Sequence, residues 1–85
     1  MKYLNSDIKI FFDSWVIPLI IKEYKISEDE ALRSFINSET YQLLLDEDTR
    51  LFRESPLFIF DMYKAEKATN NPRNSSYITG YQYGQ

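Results

Sequence analysis

Taken at 100° per residue, residues 6–24 carry two apolar stripes rather than one. Ile8, Phe12, Trp15 and Leu19 share one side; Ile10, Ile17, Ile21 and Tyr24 lie almost opposite. Lys9, Asp13, Ser14, Lys22 and Glu23 fill the gaps. A helix with two apolar sides is expected to be sandwiched, by its own chain on one side and by something else on the other. Ser6 suits the N-cap, and Asp7 the first turn, where the helix dipole favours a carboxylate. Pro18 sits inside the segment, where it removes one main-chain hydrogen bond, clashes with the Ser14 carbonyl and biases Ile17 away from helical angles. The expectation is a helix kinked near residues 14–18, with two short helices meeting there as the alternative. A strand over 15–21 suits the β-branched residues, but proline is poor in a central strand and no partner strand is evident.

Beyond residue 25 the local signals are clearer. Ser27 followed by Glu30 is a capping box, with acids filling the first turn, and Ala31, Leu32, Phe35 and Ile36 make one apolar face ending near Asn37. Ser38 caps a third helix in which Tyr41, Leu44 and Leu45 face inward. Residues 46–49 read as a turn or a frayed end, and Leu51 and Phe52 bring the chain back to the core. Ser55-Pro56 is a cap followed by proline at the first helical position. Phe58, Ile59, Met62, Tyr63 and Ala65 form the inner face of this fourth helix, which stops near Thr69; Leu57 and Phe60 point elsewhere. The expected organisation is one all-α domain over residues 1–70, a bundle of about four helices, and a flexible tyrosine-containing tail over 71–85.

Composition narrows the chemistry. Eighty-five residues make one small domain, near the lower end of what folds alone. There is no cysteine and no histidine, which removes disulfides, thiolate sites, the commonest general base and the commonest zinc ligand. No cofactor and no metal site is expected. The net charge of −3 is uneven: +1 over residues 1–25, −5 over 26–54 and +1 over the remainder. An acidic middle repels phosphate backbones and disfavours non-specific nucleic-acid binding. Asn5, Ser6, Asp7, Lys9 and Asp13 interrupt any secretory leader, and the uncharged run from Trp15 to Ile21 is far short of the ~20 residues a spanning helix needs. A cytoplasmic protein without a membrane segment is expected.

Candidate motifs mostly reduce to helix grammar. Asp46 and Asp48 alternate like calcium ligands, but Arg50 and Leu51 stand where an acid and a glycine are required, so a solvated helix end is the better reading. The acids at 28–30 serve the helix dipole. The glycines, at 80 and 84, form no phosphate loop, and Asn74-Ser75-Ser76 is a chance glycosylation match. Residues 28–45 suggest helix-turn-helix, yet 39–45 offer no Lys or Arg to read base edges. No catalytic constellation is recognisable, so an enzyme is not expected.

Within YKISEDEALRSFINSETYQLLL, the residues Tyr24, Ile26-Ser27, Glu30-Ala31, Phe35 and Tyr41 resemble a pattern in short uncharacterised bacterial helical proteins. In these an N-terminal helix precedes an Ile-Ser-x-x-Glu-Ala start and a second aromatic helix, and some are encoded beside toxin-like or effector genes. The resemblance covers about residues 8–45, departs over 46–67 and implies an accessory or antitoxin-like role, with no site residues to carry over. The leading expectation is therefore a protein-interaction module, a homodimer or the small subunit of a complex. Its expected interface is Trp15, Ile17, Ile21, Leu57 and Phe60, joined by Tyr81 and Tyr83, because aliphatic and aromatic patches of this kind are rarely left open. Two alternatives stand beside it: a nucleic-acid-binding regulator gathering Lys2, Lys9, Lys22 and Lys25 on one surface, and a small ligand-binding protein or hydrolase built on carboxylates.

Overall fold

The first helix passes through Pro18 without a break. In the computed structural model, which describes residues 6–79, α1 spans Ser6–Tyr24 as one element. Two short helices meeting at the proline do not occur. Ser14 and Pro18 both lie on the exposed side, so the Ser14 carbonyl that loses its N–H partner faces water instead of the core. The Ser14 hydroxyl donates to the Phe11 carbonyl at 2.8 Å, one turn earlier.

The remaining elements begin at their caps. α2 (Glu28–Ile36) opens with the full capping box: the Ser27 hydroxyl accepts from the Glu30 N–H at 3.1 Å, and the Glu30 carboxylate accepts from the Ser27 N–H at 3.3 Å. α3 (Glu39–Leu45) starts at Ser38, whose hydroxyl accepts from the Tyr41 N–H at 3.1 Å. Two 3-10 turns follow, Glu47–Thr49, where a turn or a frayed end was expected, and Leu51–Arg53. α4 (Pro56–Thr69) starts at Ser55 with proline in its first turn, and α5 (Ser76–Thr79) follows a 3-10 turn at Pro72–Asn74. With both glycines beyond residue 79, the left-handed positions fall to other residues. Lys25 (φ 55°) follows α1, Arg50 (φ 58°) joins the two 3-10 turns, and Asn70 (φ 63°) ends α4. Asparagine tolerates this region better than the two cations do.

The helices close on an aromatic centre. Phe35 of α2 is fully buried, with its ring 4.9 Å from Tyr41 of α3 and 6.0 Å from Tyr63 of α4, both edge-on. Tyr24 reaches the same Tyr63 ring at 5.9 Å, and the Tyr63 hydroxyl pairs with that of Ser34. α1 contributes Phe12, Val16, Ile17 and Ile20 to this core. The two stripes read from the sequence are therefore shoulders: the buried face runs between them, through Val16 and Ile20, which belonged to neither. Helical periodicity ranks positions by angle, and on a helix apolar nearly all round it cannot say which angle the bundle covers.

Polar side chains pin the short elements. Glu66 of α4 places its carboxylate over the start of α3, accepting from the Glu39 N–H at 2.9 Å, the Thr40 N–H at 2.9 Å and the Thr40 hydroxyl at 2.7 Å. Asp61 accepts from the Ser75 hydroxyl at 2.5 Å, Arg73 pairs with Glu39 at 2.5 Å, and Tyr77 stacks on Phe58 at 5.2 Å. Pro72 and Ser75 are fully buried. Residues 71–78, the start of the segment expected as a flexible tail, fold back on α4, which covers the Pro72 ring and the Ser75 hydroxyl. Residues 80–85, with Tyr81 and Tyr83, lie outside the described residues. Glu66→Ala is expected to destabilise the fold by about 1–3 kcal/mol, since it strips two helix N-terminal N–H groups of their acceptor. Urea denaturation measures this; a loss below ~0.5 kcal/mol would show the cap to be dispensable.

Candidate interaction surface

The polarity of α1 is inverted in its middle. Projected down the helix, Lys9 and Asp13 lie towards the same side as Phe12, Val16 and Ile20, while Ile10, Phe11, Ser14, Trp15 and Pro18 occupy an outward arc of about 140°. Ile10 is 64% exposed, Phe11 49% and Trp15 58%. The charged residues of the outward arc are Asp7 near its start and Lys22 near its end, both exposed.

The first turn of α4 extends this face. Leu57, 57% exposed, joins Pro56, Ser55, Phe11, Trp15 and Leu19 around a groove of about 340 Å³. On the other side of the Trp15 ring a second groove, about 420 Å³, is lined by Ser14, Pro18, Leu19 and Lys22. Trp15 is the ridge between them. A third cleft of about 420 Å³ runs between α1 and α2, with Ile10, Ile17 and Leu32 as walls and Asp13 and Glu28 as its acids.

Trp15 and Leu57, both expected at the interface, are brought together here. Ile17 and Phe60 are not part of the surface: each is 7% exposed and belongs to the core. Phe60 was read as pointing away from the inner face, but the α4 core face is wide enough to include it, and Lys64 lies 5.0 Å from its ring. Ile21 is half-buried against the core, and Tyr81 and Tyr83 lie outside the described residues. Phe11 was missed, although its i, i+4 spacing to Trp15 was a signal that the two share a side. Of the lysines proposed to gather on one surface, Lys9 and Lys22 are about 20 Å apart along α1, and Lys2 lies outside the described residues.

Asp13 bears the cost of the inversion. One carboxylate oxygen is buried without a hydrogen-bond partner among the described residues. Burial raises the Asp13 pKa above the ordinary carboxylate value, and the Lys9 charge offsets this only in part. The Tyr41 phenol is likewise raised, by burial first and by the Asp13 charge second.

No family model, no curated protein and no solved structure matches this chain. Among the described residues, no helix is long and apolar enough to cross a membrane.

Two predictions follow from these placements. Trp15→Asp and Leu57→Asp should leave monomer stability within about 0.5 kcal/mol, whereas Ile17→Asp and Phe60→Asp should unfold the chain by burying a charge. Circular dichroism during thermal melting separates the two pairs; equal losses in both would contradict the surface placement. Asp13→Asn should stabilise the protein at neutral pH, where the wild-type carboxylate is ionised and desolvated. A raised native pKa means this penalty is absent below the unfolded-state value and grows as pH rises through the native one. The melting-temperature gain should therefore shrink towards pH 3; a gain independent of pH would show that the Asp13 charge is not responsible.

Proposed function

We propose that this chain is a protein-interaction module that binds another polypeptide through the outward face of α1 and the first turn of α4, as a homodimer or as a small accessory subunit. The observation that carries the reading is the inverted polarity of α1. A helix that turns Ile10, Phe11 and Trp15 to solvent while Asp13 is half-buried forgoes the ordinary amphipathic gain. Exposed aromatic and aliphatic residues flanking a groove are what a binding hot spot requires, with Trp15 as the anchor and the uncharged Ser14 and Pro18 beside it. Binding would act by occlusion, covering the apolar face of the partner and of this chain together. The resemblance of residues 8–45 to bacterial proteins encoded beside toxin-like or effector genes fits an accessory, antitoxin-like version of the same role.

A photo-crosslinking amino acid placed at position 15, and in a control at the exposed position 67, tests the reading in the producing cell. Adducts to a defined polypeptide, this chain included, are expected at 15 and not at 67. Equal or absent protein adducts at the two positions would overturn it.

A further inference from the structure

Resting on that reading, we infer that the polypeptide bound by this face is a second copy of the chain, packed with α1 antiparallel to α1 about a two-fold axis at the level of Ser14 and Trp15. The outward face of α1 carries charges of opposite sign at equal distances from its midpoint. Asp7 and Lys22 stand fifteen residues apart, about 22 Å along the axis, with Ser14 and Trp15 at their midpoint. Phe11 and Pro18 flank the same midpoint at equal distance.

An antiparallel two-fold therefore sets each Asp7 against the Lys22 of the other copy and each Phe11 ring against the other Pro18. Neither Asp7 nor Lys22 is in an ion pair within the described residues, so both are free to pair between copies. A parallel arrangement would instead oppose Asp7 to Asp7 and Lys22 to Lys22.

The packing is geometrically ordinary. Asp7–Phe11–Trp15 and Ser14–Pro18–Lys22 are both i, i+4 ridges, and interdigitating such ridges crosses two helices at about −50°. That hand of crossing offsets the drift of the stripe around α1 and brings the charged ends closer. Trp15 of one copy then lies beside Trp15 of the other, on the flank where the Leu57 groove opens. Ser14, small and exposed, faces its own counterpart on the opposite flank and lets the backbones approach. Leu57 and Pro56 widen the contact beyond a single helix, towards the ~800 Å² per partner typical of a stable interface.

Sedimentation equilibrium of the purified full chain across a concentration series, with four variants, tests this. The wild type should dimerise and Trp15→Asp should not. Asp7→Lys, which sets cation against cation at both ends, should weaken the dimer about tenfold, and Asp7→Lys combined with Lys22→Asp should restore it. Leu57→Ser, which adds no charge, should also weaken it. Circular dichroism confirms that each variant is folded. A dimer that Trp15→Asp abolishes but the charge exchange does not restore overturns the antiparallel arrangement and leaves the interaction reading intact. A chain that stays monomeric at millimolar concentration overturns the second copy as partner, and the crosslinking experiment then decides separately whether the face binds anything.

Discussion

Everything in this molecule is arranged around a nineteen-residue helix that is apolar on nearly every side. α2 and α4, the helices that pack against it, cover only one side of it. Once Phe12, Val16, Ile17 and Ile20 are enclosed, Ile10, Phe11 and Trp15 must face outward, because 100° per residue leaves them nowhere else to go. Pro18 belongs to the same constraint. Its missing hydrogen bond is tolerable only where the orphaned Ser14 carbonyl meets water, so the proline marks the outward side as surely as the exposed rings do.

The short helices could not hold that arrangement by propensity alone, since helices of seven and nine residues are marginal in isolation. They are held from two directions. Phe35, Tyr41 and Tyr63 interlock edge-on at the centre, and carboxylates on α4 reach out to fasten what lies around it. Glu66 closes the start of α3 and Asp61 ties down Ser75, so α4 is both a core element and the anchor for the segment that follows it. The buried, unpartnered oxygen of Asp13 stands against this pattern. Among the described residues it is a buried side-chain oxygen that the bundle leaves unsatisfied, on the same helix that offers its apolar side to solvent.

The interaction surface proposed for this chain calls for no catalytic geometry. Its ingredients are an aromatic ridge, two grooves beside it, and charges placed where they set orientation rather than supply affinity. In the proposed dimer, the opposite charges at the two ends of the α1 face would set the orientation of a two-fold contact.

Local chemistry determined where the helices begin and end. Ser27 with Glu30, Ser38, and Ser55 before Pro56 are short-range devices whose energetics depend on a few neighbouring residues, and each start falls where those residues put it. The all-α class was legible from these caps together with the helical spacing of the apolar positions between them. Which direction of α1 is buried was not legible. That choice depends on side chains more than ten residues away, so Val16 and Ile20 went inside, Phe11 went out, and Ile17 and Phe60 became core rather than surface. Glu66 and Ser75 likewise look like ordinary polar residues in the chain. Only the packing of α4 against α3 and against the segment after residue 70 turns them into a cap and a latch, because a hydrogen bond across twenty-six residues has no local signature.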